Sequence, residues 1–370
     1  MIASLCVAVA LAQTAWTKPY TILSLPQTVE AFAKELPEVG KGRVWREGDV
    51  LKAVYSGEAE AVDLTVGIQE PMTRFEGTDT WGLQLRYGQW DKALVAYAFL
   101  PQPPPQGFKF DMQTWRGESG PRPPAPASPL SGTLRDAEFE SKFLGEKRKV
   151  TVYVPPGPAE ARTAIVMADG QGVSAFAAVL EPLIVAKRVR PTILIGIHNG
   201  GFRGSGSAPD LKMDFRAREY LQGVDPERFA QHLDWVVEEV LPWARGEDPG
   251  LSSRREDWGV TGFSNGGSFA VWAATLRGDV FGTSIPLSLG FPPPAEPPKG
   301  PLARFYFAAG SLESFSVRTK QAYERAKAWG AETTYKEFVA GHDSVMWQIA
   351  FVEAVEALFP ASAGSGPHSQ

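Results

Sequence analysis

The sequence predicts an α/β fold: a mostly parallel sheet covered by helices on both faces, preceded by a small β-sandwich. Three observations lead there. Short segments of alternating polarity crowd the first third of the chain. A proline-rich stretch, PRPPAPASPLSG at 121–132, follows them. Beyond it, apolar strand-like runs alternate with helical runs of ten or more residues, the pattern of parallel strands joined by crossover helices.

The N-terminal residues 1–17 read as a secretory leader. The run from Ile2 to Ala12 is apolar and uncharged, and Ala10-Leu11-Ala12 offers a small-residue cleavage site before Gln13. The usual positive charge at the start is missing. The run is too short to span a bilayer, so stable membrane insertion is not expected. A buried first strand is the competing reading. Cys6 is the single cysteine and leaves with the leader, so the mature chain is expected to hold neither disulfide nor thiol site. Export to the periplasm or beyond follows from these features.

Residues 18–120 are expected to form the β-sandwich. TVEAFAKEL suggests a short helix, and DVLKAVYSG, EAVDLTVGI, WGLQLRYG and KALVAYAFL alternate with period two. PQPPPQG at 101–107 is a loop within this unit. The 121–132 segment holds five prolines, cannot sit inside a sheet, and reads as a stiff linker. Residues 133–360 are the α/β unit. Its strands are KRKVTVYVPPG, TAIVMADG, PTILIGIHNG, DWGVTGFSNGG, TSIPLSLG, ARFYFAAG and TTYKEFVAGH. Its helices are AFAAVLEPLIVAKR, PERFAQHLDWVVEEVLPWA, GSFAVWAATLRG and SVRTKQAYERAKAWG. Residues 361–370 are expected to be a disordered tail.

Composition narrows the function. The chain of 370 residues is 44% hydrophobic and 21% charged, with a net charge of -5. No long basic block is present, which argues against nucleic-acid binding.

The chemistry centres on GVTGFSNGG at 259–267, a G-x-S-x-G pattern. An apolar strand leads in and a small-residue helix leads out, which places the Ser264 hydroxyl at the apex of a sharp turn at the carboxyl end of the sheet. The bland alternative is a glycine-rich turn built only for close packing. A serine nucleophile needs a base, and the chain has four histidines. His232 lies in a helix and is expected at a surface or interface, and His368 lies in the tail. His198 ends a strand upstream of the serine, where it is a pocket candidate. The chain order nucleophile, acid, histidine of α/β-hydrolases selects His342 in AGHDSVMW. The acid belongs on the loop after the preceding strand but one, where the first carboxylate is Glu313, 29 residues before His342. Asp343 neighbours the histidine too closely in sequence to reach its ring. The oxyanion hole is expected from backbone N–H groups of Asn265, just after the serine, and of Gly170 or Gln171 in DGQG. Asp169 is expected to brace that loop. No histidine pair has metal-ligand spacing and no dinucleotide or phosphate loop is present, so neither metal nor cofactor is expected.

These residues resemble the esterase family that includes enterochelin esterases, S-formylglutathione hydrolases and feruloyl esterases. RKVTVYVPPG, IVMADGQG, ILIGIHNG, RAREY, FAQHLDWVVEEVLPW, GVTGFSNGG, AAGSLES and AGHDSVMW carry the resemblance at matching spacing. The domain order looks closest to the enterochelin-esterase branch, with DTWGLQLRYG and VAYAFLP resembling its N-terminal Ig-like sandwich. The resemblance implies a Ser264–His342–Glu313 triad and a small-molecule ester substrate, with a siderophore ester as one candidate. It departs at His198-Asn199, where many relatives carry an acid. The pocket candidates are His198, Asn199, Arg216 and Arg218, with Arg203, Arg216 and Arg218 offered to an anionic or catecholate ligand. Pairing of Arg218 with Glu219 or another acid is the alternative. Rival functions are a feruloyl or acetyl-carbohydrate esterase, an acyltransferase with the same triad, and a non-catalytic binding protein. A carbohydrate platform would use Trp81, Trp90 and Trp115, although tryptophans in such a unit more often serve as core or interface residues.

Overall fold

The computed structural model describes residues 16–157, 162–203 and 211–361. Nearly all of the expected leader and of the tail lies outside the described residues.

Two antiparallel sheets make up the N-terminal unit. The first has five strands: β1 (Thr21–Ile22), β2 (Lys41–Glu47), β3 (Val50–Ser56), β6 (Thr73–Arg74) and β7 (Thr80–Arg86). They run in the order β1-β7-β3-β2, with β6 also on β7. The second, in the order β5-β4-β8-β9, has β4 (Ala61–Val66), β5 (Glu70–Pro71), β8 (Leu94–Gln102) and β9 (Gln113–Arg116). Alternate residues face the core between the two sheets, although β8 is buried along both faces and not on one. Leu51, Ala53 and Tyr55 of β3 share one hydrophobic cluster with Leu64 of β4 and Val95, Tyr97 and Phe99 of β8. TVEAFAKEL forms the short helix expected, of 3-10 type, at Val29–Glu35. Trp81 and Trp90 are 5% and 1% exposed and belong to this core. Trp115 packs against it. The core reading of these rings holds over the carbohydrate platform: they are spent on packing.

The linker lies along the second unit. Ser131 and Gly132 N–H groups each donate to the Glu181 carboxylate at 2.7 Å, and Ala127 N–H donates to the Ala178 carbonyl at 2.7 Å.

The second unit is built on an eight-stranded mixed sheet. Its strands are β10 (Thr133–Ser141), β11 (Glu146–Val154), β12 (Thr163–Ala168), β13 (Thr192–Ile197), β14 (Trp258–Phe263), β15 (Thr283–Leu287), β16 (Arg304–Gly310) and β17 (Thr333–Phe338). The order is β10-β11-β13-β12-β14-β15-β16-β17. β10 and β11 pair antiparallel, β11 meets β13 antiparallel, and the other pairs are parallel. β12 and β13 are buried along their whole length, which is why TAIVMA and TILIGI read as unbroken apolar runs. β10 is a solvent-facing edge strand whose sequence gave no strand expectation.

The helices are α1 (Val173–Val185), α2 (Phe215–Tyr220), α3 (Pro226–Asp234), α4 (Leu241–Glu247), α5 (Asn265–Leu276), α6 (Phe315–Ala328) and α7 (Ser344–Leu358). α1 and α7 contribute to one hydrophobic cluster, and α3, α4, α5 and α6 to another. A π-helical turn, Trp235–Val240, joins α3 to α4. Among the described residues no helix is long and apolar enough to cross a membrane.

His232 is not at a surface. It is 0% exposed, packed among Tyr220, Trp235 and Phe269. Glu219 Oε2 stands 3.7 Å away, and neither ring nitrogen has a hydrogen-bond partner. Burial, aided by Arg148 and Arg228, pushes its imidazole well below the ordinary value of 6.5. The unfolded chain therefore binds a proton that the folded chain refuses, and stability falls as pH drops below 6.5. Each pH unit below that point costs up to about 1.4 kcal/mol. His232→Leu is expected to flatten this loss. Urea unfolding of both proteins at pH 7.5 and pH 5 checks it, and parallel losses would refute it.

Candidate active site

β14 ends at Phe263 and α5 begins at Asn265, so Ser264 alone makes the turn. Its φ of 58° and ψ of -123° are rare for a residue with a side chain, at a cost of order 1–3 kcal/mol. The flanking glycines are a steric requirement. A Cβ on Gly262 would lie 2.4 Å from the Gly266 carbonyl oxygen, and one on Gly266 would lie 2.9 Å from the Ala168 Cβ. Ser264 N–H donates to the Leu287 carbonyl at 3.0 Å, tying the turn to β15.

Glu313 follows β16 and His342 follows β17, two and three strands from β14 at the same end of the sheet. Glu313 Oε2 lies in direct contact with His342 Nδ1. Glu313 Oε1 accepts from Gly310 N–H at 2.7 Å and from Ser288 Oγ at 2.5 Å. Ser288 Oγ in turn accepts from Trp347 Nε1 at 2.8 Å. The Trp347 indole stacks on Phe263, centroids 4.3 Å apart, and meets the His342 ring edge-on at 4.8 Å. Phe315 stacks on the His342 ring at 4.3 Å. One tryptophan thus touches both the histidine and the neighbour of Ser264. Among the described residues no hydrogen bond joins Ser264 Oγ to His342. Catalytic hydrogen bonds are often open before substrate arrives. Ser288, Phe315 and Trp347 had no place in the sequence reading. A serine just past a buried strand, and aromatics just past the acid and the histidine, were the available signals.

The DGQG loop follows β12. Asp169 adopts a left-handed conformation, φ 58°, and Gly170–Gly172 forms a 3-10 turn beside the elbow. The Asp169 carboxylate accepts from Arg216 Nε at 2.8 Å, Arg216 Nη2 at 2.7 Å and Asn199 Nδ2 at 2.7 Å. Burial works against the Arg216 charge, but the facing Asp169 outweighs it and raises the guanidinium pKa. Arg216 and Asn199 therefore brace the loop. A Cβ on Gly170 would lie 2.5 Å from His198 Cδ2, so the His198 ring packs directly on this turn. His198 Nε2 meets Thr151 Oγ1 at 2.9 Å, and that hydroxyl donates to Asp136 Oδ1 at 2.7 Å. The hydroxyl proton being engaged, the network assigns the His198 proton to Nε2. Burial and Lys149 push the His198 pKa down, which keeps the ring neutral.

The arginines offered to an anionic ligand already have acids. Arg203 Nη2 pairs with Glu146 at 2.5 Å, Arg218 Nε with Asp225 at 2.7 Å, and Arg216 with Asp169. The Arg218–Glu219 pairing is also replaced. Glu219 is 0% exposed and lies between Arg148 and Arg228. Its Oε2 accepts from Gly200 N–H at 2.8 Å, fixing the loop after His198-Asn199. Arg218 lines a separate groove with Lys212, Val224 and Asp225.

Beside the Glu313–His342 pair lies a cavity of about 130 Å³, walled by both units. Trp16, Lys18, Gln69 and Glu70 come from the first, and Phe315 and His342 from the second. Among the described residues no cluster of three metal-binding side chains occurs.

A parallel-centred sheet with a serine elbow after its fifth strand is the architecture of α/β-hydrolases. Residues 141–298 match the family described as "Esterase: Putative esterase", a segment that includes Ser264 and ends before Glu313. The centre of the second unit is thus similar to that esterase family, and the match marks the chain as an enzyme that hydrolyses carboxylic esters. Its fold is similar over both units to solved structures. The enterobactin esterase of Shigella flexneri, crystallised with 2,3-dihydroxy-N-benzoyl-glycine, is 15% identical, with a TM-score of 0.63 over 90% of this chain and 98% of that one. The enterochelin esterase of Shigella flexneri is 16% identical, TM-score 0.65, over 89% and 97%. The ferric enterobactin esterase of Salmonella typhimurium is 17% identical, TM-score 0.63, over 89% and 98%. No curated protein matches the chain in sequence.

Proposed function

We propose that Ser264, His342 and Glu313 act as nucleophile, base and acid in two-step ester hydrolysis. The observation that carries this reading is the contact of Glu313 Oε2 with His342 Nδ1 at the end of the sheet that also holds the strained Ser264 turn. With Nδ1 engaged, Nε2 is the nitrogen left for the serine proton. His342 takes the proton from Ser264 Oγ as the oxygen attacks the ester carbonyl. The N–H groups of Asn265 and of Gly170 or Gln171 receive the oxyanion. His342 then protonates the leaving alkoxide, and an acyl-serine remains. Water repeats the cycle: His342 accepts its proton, the hydroxide adds to the acyl carbon, and the proton returns to Ser264 as the acid leaves.

Our reading of the substrate is a siderophore-type ester, a lactone that carries catecholate groups. It draws on the fold likeness to enterobactin esterases, which extends across both units. The Arg203, Arg216 and Arg218 ion pairs favour a second reading, a less charged aromatic ester such as a ferulate, because they leave little uncompensated positive charge on these loops. In both readings residues 18–120, an Ig-like sandwich, cap the pocket, and the 121–132 linker joins them to the catalytic unit at 133–360. Export follows from the Ile2–Ala12 run, and the mass of the mature protein checks it.

A substrate panel tests the proposal: siderophore trilactone, methyl ferulate, acetylated xylan and p-nitrophenyl esters, alongside labelling by a fluorophosphonate. Trilactone should be the best substrate and the adduct should sit on Ser264. Trilactone no better than a p-nitrophenyl ester would end the siderophore reading. Absence of an adduct on Ser264 would end the mechanism.

A further inference from the structure

The loops bearing Glu313 and His342 both rest on the N-terminal unit. Leu312, next to the acid, is buried in that unit's hydrophobic cluster, and Val339 packs against it. Leu94 N–H of β8 donates to the Val339 carbonyl at 2.9 Å, and Leu312 N–H to the Ala340 carbonyl at 3.0 Å. Gly341, just before His342, touches backbone: a Cβ there would lie 1.7 Å from the Gly67 carbonyl oxygen. Gly67 would be equally crowded, its Cβ falling 2.8 Å from both the Ala96 carbonyl oxygen and Asp343 Oδ2.

The corner that makes this contact is strained. Val66 ends β4 with φ 80°, a genuine outlier for a β-branched residue. Gly67 N–H still donates to the Ala96 carbonyl at 2.8 Å. In a continuing ladder Ala96 N–H would return the bond to the Gly67 carbonyl. It turns instead to Asp343 Oδ2, at 3.4 Å. Asp343 is 1% exposed, and its other oxygen caps α7 by accepting from Met346 N–H at 2.9 Å. One carboxylate, on the residue next to His342, thus joins the sandwich to the helix bearing Trp347. Strain of this kind persists where the surroundings impose it, and it gathers at functional sites.

We infer that the N-terminal unit is a working part of the catalytic centre: the Val66–Gly67 corner and Asp343 set the position of the His342 ring, with Asp343 as a positioning residue. The inference rests on His342 being the base. It gives the strained corner a purpose, since a relaxed β4 would leave the Gly341 backbone without its seat. The Asp343 carboxylate touches neither substrate nor reacting atoms in this arrangement.

Asp343→Asn in the full chain tests it. Asparagine keeps the volume and caps α7 through its carbonyl oxygen. Its NH2 group then faces the Ala96 N–H, donor against donor. kcat for p-nitrophenyl acetate should fall about 10- to 100-fold, the penalty for a misplacement near 1 Å. KM should stay within about twofold, because the contact acts on the base and not on ground-state binding. The rate of fluorophosphonate inactivation should fall by the same factor as kcat, and the low-field proton resonance of the His342–Glu313 hydrogen bond should broaden or shift. Gly67→Ala, which wedges a methyl group into the same contact, should do likewise and serves if the asparagine variant does not fold. Wild-type kcat and inactivation rate in a variant that has only lost thermal stability would overturn the inference, as would a change confined to KM. The two readings fail separately. Activity surviving in His342→Ala would sink the triad, whereas an inactive His342→Ala beside a fully active Asp343→Asn would sink only the positioning role.

Discussion

Ser264→Ala is expected to lower kcat on any ester about 10⁶-fold, the loss seen when the nucleophile of a serine hydrolase is removed. The oxyanion donors and the pocket would remain, so a residual rate roughly 10³-fold above water should persist. The fold should survive. The turn is held by the Ser264 N–H bond to Leu287 and by the packing of Gly262 and Gly266, none of which involves the hydroxyl. Alanine inherits the same unfavourable φ, so the thermal midpoint should change little. Pre-steady-state kinetics with a p-nitrophenyl ester in excess over enzyme separates the outcomes. Wild-type enzyme should release a burst of nitrophenol equal to the active sites, and the alanine variant none. A retained burst would mean that another residue is acylated.

How much of this was readable in advance depended on whether the cause was local. The Ser264 elbow was legible because its requirements are met within nine residues: an apolar strand, two positions with no room for a side chain, and a small-residue helix. Glu313 and His342 were legible because strand order fixes which loops meet at one end of the sheet. Ser288 was not, because its hydroxyl matters only once the end of β15 meets Trp347 of α7 and Glu313 after β16. Asp343 was judged against the wrong partner. It does not reach the imidazole beside it, but a backbone N–H some 247 residues earlier in the chain. His232 was misjudged for a different reason. It stands three residues after Phe229 and four before Val236, on the buried stripe of its helix, and the stripe outranks the polarity of the residue. The arginines showed their charge in the sequence and concealed their partners, since Glu146, Asp169 and Asp225 are only three of many acids.

Glu313→Gln is expected to lower kcat about 10⁴-fold with little loss of fold, because it changes which nitrogen of His342 carries the proton. The reason lies in what holds the carboxylate. Oε1 accepts two donors, the Gly310 N–H and the Ser288 hydroxyl, so the carbonyl oxygen of glutamine must take that place. The amide NH2 is left where Oε2 had been, against His342 Nδ1. A donor there forces Nδ1 to accept, and the imidazole proton moves to Nε2. The ring then presents N–H to the serine and cannot remove its proton. It also loses the charge that stabilises the imidazolium in the transition state, worth several kcal/mol in a site shielded from water. Volume and the two anchoring bonds are conserved, so the thermal midpoint should stay close to wild type. The pH profile distinguishes this account from simple disorder. A mobile ring would lower kcat at every pH by a similar factor. A ring locked in the wrong tautomer should regain activity as pH rises, because hydroxide relieves the need for a base. A loss smaller than about tenfold at neutral pH would show that another carboxylate orients His342.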